Sequence, residues 1–388
     1  MKKLFFIVGE NSGDVIAAKL IRALKAKHGD QVQCMGIGGP LMEAEGFEVL
    51  LPMDQISVIG IWEVIPRIPD LMKIFKALRE EIETSQPDGL ITVDFPEFNF
   101  MLGKSLKKRG VFKGKHIHYV APSVWAWRPG RAQNCSKFLD AMVCLFEMEV
   151  KHFEQHGLKT IAVGHPLVES RADAGNGMNF RHDNQIPDES KTLGLFFGSR
   201  ESEFKSMTGI LREAATLVND VQKQQPLHVI APTLPKTEYD LQNRLLGFDL
   251  PIYISSNPTV KWDAFKGCEV AVAVSGTVAL ELAYAGVPHI ITYKVNPITF
   301  LILRLLVKVK HIHLANILLG RDVVPEYLQG KCNSLDIATG ASDLLKSKKL
   351  QEAQKEAFRE LRKILGADSD QKPSEKAANF ISEIINVR

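Results

Sequence analysis

Residues 270–288 read VAVAVSGTVALELAYAGVP. The unbroken apolar run Val270–Val274 predicts a strand covered on both faces, as in a parallel sheet. A turn of small residues follows, and Thr277–Ala285 predicts a helix. The same strand, turn and helix sequence opens the chain, where MKKLFFIVGENSGD gives a strand over Leu4–Val8 before GENSGD at 9–14. It recurs in LITVDFPEFN (90–99) and LGLFFGSRES (193–202). Working outward, further strands are expected over Val32–Ile37, His116–Val120, Ala141–Leu145, Leu227–Ile230, Ile252–Ile254 and His289–Ile291. Helices are expected over Ala17–Lys27, Pro69–Ser85, Phe100–Lys108, Lys151–His156, Glu203–Gln224 and Leu350–Leu365. Alternation of this kind predicts two open α/β sheets.

A chain of 388 residues is long enough for two or three domains. The least periodic stretch, SRADAGNGMNFRHDNQIPDESK at 170–191, is polar and rich in turn formers. The expected division is therefore a Rossmann-like domain over 1–170, a linker over 171–191 and a second Rossmann-like domain over 192–349. Charged helices over 350–388 pack back on either half or pair subunits. With 45% hydrophobic and 24% charged residues, disorder, collagen and a whole-chain coiled coil are excluded. The 5 cysteines are an odd number with no CxxC pair, which favours neither a metal knuckle nor a disulfide framework and points to a reducing compartment. Gly9, Glu10 and Asp14 cut short any signal-peptide apolar run. Ile298–Leu306 carries Arg304 and is followed by Lys308 and Lys310, so no bilayer-spanning segment is expected.

Open α/β sheets place ligands beyond the carboxyl ends of their strands, where the chemistry is to be sought. GENSGD is either a ligand loop or a plain turn with Ser12 or Asp14 as helix cap. Asp94 ends a strand in DFPEFN, well placed as a general base, or else caps the next helix. Glu97 is a second carboxylate nearby, expected to face solvent. In the second half, GSR and SGT each precede a helix whose N-terminal amides favour phosphate, with Arg200 adding a planar fork. Glu281, one turn after Thr277, either accepts from vicinal ribose hydroxyls or is a solvated helix residue. The aromatic stretch YVAPSVWAWRPGR (119–131) either packs on a sugar or acyl chain or is stapled to the core. Trp62, Ile65, Ile68, Leu71, Met72 and Phe75 recur at helical spacing, forming either a core stripe or a lipid-facing one flanked by Arg67, Lys73, Lys76 and Arg79.

Together these residues resemble the lipid-A-disaccharide synthases, bacterial glycosyltransferases of the two-domain GT-B fold. GENSGD, GIGGPLM (36–42), DFPEFN (94–99), SVWAWR, VGHPL (163–167), GSR (198–200), SGTVALE (275–281) and NILLGRDVVPEYLQ (316–329) carry the resemblance in order along the chain. It implies two Rossmann-like domains with a nucleotide-sugar cleft between them. It also implies transfer of 2,3-diacylglucosamine from UDP-2,3-diacylglucosamine to 2,3-diacylglucosamine 1-phosphate, giving a β-1,6-linked disaccharide phosphate and UDP. Asp94 matches the proposed base, and Glu10 and Ser12 match a cleft-lining loop. Ser199, Arg200, Glu281 and Asn316 match positions around the uridine diphosphate, and Ser275, Gly276 and Thr277 complete that set. The segment around Trp62–Phe75 matches a membrane-contacting patch, and the C-terminal region one that pairs subunits in some members. The enzyme is then expected to be cytoplasmic and peripheral to the inner membrane, with no cofactor. No DxD-like pair lies beside the nucleotide loops, which favours a mechanism without metal. Phe197 and Ala315 stand where the family commonly carries proline, and a looser backbone is expected at both.

A formal charge of +3 conceals an uneven distribution. From Phe98 to Leu139 there are nine Lys or Arg and no acid, and from Leu282 to Arg321 there are five and none. The remainder holds 34 basic against 45 acidic residues. Two acid-free basic stretches suit an anionic membrane surface and phosphorylated substrates. Charge alone would also suit nucleic acid, which the motifs do not support.

Overall fold

The computed structural model describes residues 1–57, 61–198, 200–222, 226–294 and 310–387, and of 61–67 the backbone alone. The chain divides into two compact units, Met1–Glu169 with Ser369–Arg388, and Ser170–Asp368.

The first unit is built on a parallel sheet of β1 (Lys2–Val8), β2 (Val32–Gly38), β3 (Glu48–Pro52), β4 (Gly89–Val93), β5 (Lys115–Tyr119), β6 (Ala141–Cys144) and β7 (Lys159–Ala162). Its order is β3-β2-β1-β4-β5-β6-β7, the arrangement of doubly wound nucleotide-binding sheets. Phe5, Phe6, Ile7 and Val8 are all buried, which explains why β1 reads as a continuous apolar run. Helix α1 (Asn11–His28) buries Ile16, Ala17, Leu20, Ile21 and Leu24, one face at helical spacing, and places Lys25, Lys27 and His28 at its negative end. After α2 (Pro40–Ala44) and α3 (Ile61–Ser85), α4 (Pro96–Arg109) begins four residues earlier than expected. Pro96 occupies its first turn, where a missing N–H costs nothing. The unit is completed by α5 (Gly130–Cys135), α6 (Glu147–Glu154) and a final helix Pro373–Ile384 that packs on α1.

The second unit repeats the plan with β8 (Lys191–Phe196), β9 (Leu227–Pro232), β10 (Ile252–Ser255), β11 (Val270–Val274), β12 (His289–Tyr293) and β13 (Glu326–Leu328), in the order β10-β9-β8-β11-β12-β13. Its helices include α7 (Gly177–Asp183), α8 (Glu201–Val221), α9 (Pro235–Arg244), α10 (Lys261–Gly267) and α11 (Thr277–Ala285).

Several boundaries differ from the sequence reading. Residues 171–191, expected as a linker, belong to the second unit. Asn176 accepts from the amides of Met178 and Asn179 to start α7, and Phe180 is buried beside Phe265. The 350–388 region is split. Helix Lys348–Ile364 buries Phe358 and Leu361 in the second unit, whereas Pro373–Ile384 buries Phe380 and Ile381 in the first. Strands β3, β7 and β13 were not expected. Each lies at a sheet edge with half-exposed residues, so none shows an apolar run. No described helix is long and apolar enough to cross a membrane. All five cysteines are free and buried.

Candidate functional site

In the first sheet β1 and β4 are neighbours at the point where strand order reverses, so the turns after them flank a crevice. Asp94 and Phe95 leave β4 with φ of 51° and 47°, two successive left-handed residues without a glycine. Such a conformation costs about 1–2 kcal/mol per residue, and strain of this kind gathers at functional sites. It is held by Asp94 N–H donating to Tyr119 O (2.9 Å) and by Asn99 Nδ2 donating to Asp94 O (2.8 Å). The consequence is a half-buried carboxylate set off the strand end. Ser12 Oγ donates to Asp94 Oδ2 (3.2 Å), so two predicted residues from turns 82 positions apart do meet. Gly9 makes the approach feasible, since a Cβ there would lie 2.5 Å from the Phe95 ring.

Glu10, the residue before α1, and exposed Asn11 complete the turn. Neither Ser12 nor Asp14 caps α1. Asp14 is buried and instead accepts from the amides of Leu41 and Met42, both at 3.1 Å. It thereby caps α2 and ties GENSGD to GIGGPLM.

Beside this turn lies a cavity of about 1090 Å³ lined by Ile68, Leu71 and Met72 of α3, Phe95, Phe98, Phe100 and Met101 around α4, and Phe138. Lys104, Arg128 and Arg131 also line it, with Glu97. Of the predicted apolar stripe, Ile68 and Met72 are exposed and Leu71 is half-buried. Phe75 is not available to a membrane. It is 6% exposed and meets Phe98 edge to face at 5.8 Å. The side chains of Trp62 and Ile65 lie outside the described residues. Glu97, expected in solvent, is exposed yet pairs with Arg131 at 2.9 Å. The aromatic stretch is stapled to the core, with Trp125 Nε1 donating to Glu149 Oε1 at 3.3 Å. Glu149 is buried, and burial pushes its carboxyl up to about 7.

In the second sheet the order reverses between β8 and β11, and the GSR and SGT turns leave the strands at that reversal, where open α/β sheets place ligands. Ser275 is half-buried, and Gly276 and Thr277 are exposed at the start of α11, whose first turn carries no acid. That end is open to an anion. The start of α8 is less so. Glu203 Oε2 accepts from the Arg200 amide (3.2 Å), and Glu201 adds a second acid. Arg200 itself is exposed, its guanidinium 3.6 Å from Glu203. Ser199 lies outside the described residues. Gly198 has φ of 95°, and a Cβ there would lie 2.4 Å from Glu203 Oε2, so the turn depends on glycine. Phe197, just before the turn, is buried and stacks on Phe204 at 6.4 Å. Glu281 gives one oxygen to Lys261 Nζ (2.7 Å), an ion pair the sequence reading missed. Lys261 lies 4.5 Å from the Trp262 ring, and with Lys261 and Glu281 20 positions apart no local pattern signalled the pair.

Asn316 is a correction. It is fully buried, with Nδ2 donating to Val324 O and Glu326 Oε1 and Oδ1 accepting from the amides of Val323 and Val324, all at 2.8–2.9 Å. All four bonding positions of the amide are used within the chain, so it shapes the 316–326 turn and has no donor left for a nucleotide. Just before it, Ala315 N–H donates to His313 Nδ1 (2.8 Å), a bond proline would forbid. His313 Nε2–H is then the donor to His289 Nε2 (2.9 Å), whose Nδ1–H donates to Val287 O. The backbone at Ala315 is tied rather than loosened. Burial holds both imidazoles below their ordinary range, His289 at about 4.

Two doubly wound units, each with a strand-order reversal of the kind beside which such sheets bind ligands, define a two-domain α/β protein. The family model for lipid-A-disaccharide synthetase matches residues 4–381. A lipid-A-disaccharide synthase of Paramagnetospirillum magneticum is 38% identical over 384 residues, covering 98% of this chain and 97% of that one. Its counterpart in Rhodospirillum centenum is 36% identical over 386 residues, covering 99% and 95%. The chain belongs to the lipid-A-disaccharide synthase family and is a glycosyltransferase. Solved structures extend the likeness in fold. The UDP co-structure of S. aureus MnaA has a TM-score of 0.65 at 15% identity, covering 100% of this chain and 98% of that one. MurG of Acinetobacter baumannii, at 0.58 and 14%, covers 99% and 100%.

Proposed function

We propose that the protein transfers 2,3-diacylglucosamine from UDP-2,3-diacylglucosamine to 2,3-diacylglucosamine 1-phosphate, forming a β-1,6-linked disaccharide 1-phosphate and UDP. Family membership supports the reaction class. The observation that carries the lipid substrate is the apolar cavity adjoining Asp94, with Phe95 both its wall and the neighbour of the carboxylate. An enzyme for a water-soluble sugar nucleotide has no use for such a cavity.

In this reading the acceptor 6-hydroxyl gives its proton to Asp94 while its oxygen forms a bond to the anomeric carbon of the donor. The bond from that carbon to the diphosphate breaks, and the electron pair leaves with UDP, inverting the centre. Ser12 holds one Asp94 oxygen and leaves the other for the proton. The departing charge is assigned to the open N-terminus of α11 at Ser275, Gly276 and Thr277, with Arg200. Glu281, one oxygen held by Lys261, keeps the other for the ribose hydroxyls. Ile68 and Met72 are the residues assigned to peripheral contact with an anionic membrane.

The test is an assay of the purified protein with the two diacylated glucosamine substrates. Stoichiometric UDP and a disaccharide phosphate are expected. UDP release without a disaccharide, or no turnover at all, would refute the assignment.

A further inference from the structure

The cavity beside Asp94 has a polar side that transfer chemistry does not explain. Among the described residues three cations line it, Lys104, Arg128 and Arg131, against a single carboxylate, Glu97. The rest of its described lining is largely apolar and includes Phe95, Phe98, Phe100 and Phe138.

Among the described residues the three cations are only weakly neutralised. Arg131 has a side chain 14% exposed, backed by the Phe100 ring 5.0 Å from its Cζ, and its partner Glu97 is 71% exposed. An ion pair with so solvated a carboxylate is easily exchanged for a better anion. Arg128 lies 4.3 Å from the centre of the Trp127 ring and 3.9 Å from the same carboxylate. Lys104 has no carboxylate partner among the described residues, its Nζ lying 5.9 Å from the Phe138 ring. Among the described residues, one Glu97 charge against three leaves a surplus of two positive charges. That matches a phosphate monoester near neutral pH, which carries close to two negative charges and accepts forked bonds from guanidinium.

We propose that Lys104, Arg128 and Arg131 bind the phosphate monoester of an acylated sugar whose acyl chain lies against the apolar wall. This rests on the acceptor assigned above and gives its phosphate a place. Apolar wall and charge surplus border one cavity, so the occupant is amphiphilic. Neither a free phosphate nor a neutral lipid satisfies both sides. Held this way by its phosphate end, the acceptor sugar is anchored close to the Asp94 turn through Phe95.

Calorimetry on the full chain tests this with three probes in matched detergent: 2,3-diacylglucosamine 1-phosphate with short acyl chains, the same lipid without its phosphate, and inorganic phosphate. The wild type is expected to bind the phosphorylated lipid at least tenfold more tightly than either other probe. Arg128→Ala with Arg131→Ala is expected to bind the two lipids alike, and Arg131→Lys to recover part of the preference. If the double variant does not fold, Arg128→Ala and Lys104→Ala, both at exposed side chains, are each expected to reduce the preference at least threefold. Equal wild-type affinity for the two lipids would overturn the proposal. So would inorganic phosphate binding as tightly as the phosphorylated lipid, or folded variants that keep the full preference. Transfer measured on the same preparation separates the two readings. Discrimination without transfer sinks the proposed reaction and keeps the phosphate site, and transfer without discrimination does the reverse.

Discussion

Asp94 and Asn316 show what a single residue discloses in sequence. A carboxylate closing an apolar run declares its place at a strand end, and the structure puts it there with Ser12 donating to it. Its left-handed backbone was not legible, because nothing in DFPEFN demands positive φ at two residues other than glycine. Asn316 was placed near the nucleotide by resemblance alone. Burial is a property of the fold, and here its amide satisfies four backbone and side-chain groups. Asn316→Ala is accordingly expected to cost about 2–4 kcal/mol of stability, read from urea midpoints, because several buried groups lose their partners. Folded protein should keep its UDP affinity. An unchanged midpoint with weakened UDP binding would return Asn316 to the nucleotide site.

Among elements, α3 is the instructive one. Helical spacing correctly gave one apolar face over 68–78 but could not say which part of it the sheet covers. The division falls along the helix. Ile68 and Met72 remain outside, while Phe75 and Leu78 are inside, with Phe75 against Phe98. Replacing Ile68 and Met72 by Ser should lower association with anionic vesicles while leaving the thermal midpoint within a few degrees. Phe75→Ser should instead destabilise by about 3–5 kcal/mol, the range for truncating a buried aromatic. Equal destabilisation by both changes would mean that the whole face is core. Edge strands β3, β7 and β13 escaped the sequence reading because half-exposed residues interrupt the apolar run that identified the central strands.

Across the molecule, charge gave more than its total suggested. Lys104, Arg128 and Arg131 all come from the acid-free stretch 98–139, and folding gathers them at one cavity. Much of the second acid-free stretch, residues 295–309, lies outside the described residues. Acid stability is also a property of the whole. Burial depresses His116, His165 and His289 to about 4 and His118 to about 3, against an ordinary 6.5. Below about pH 6.5 the unfolded chain binds protons that the native histidines refuse, so stability falls as pH drops, by up to about 1.4 kcal/mol per pH unit for each. Glu149, raised to about 7, acts oppositely, its contribution being greatest at low pH and lost as pH rises toward 7. Four groups outweigh one. A urea midpoint clearly lower at pH 5.5 than at pH 7.5 is expected, and an equal or higher one would contradict the buried neutral histidines.

The central claim is that the first unit supplies the base and the second holds the nucleotide. It is tested most directly by the transfer rate of Asp94→Ala at saturating donor, with UDP affinity measured alongside. The rate should fall by about 10² or more, the scale of a lost general base, while UDP affinity stays that of the wild type. Transfer at the wild-type rate would contradict the account.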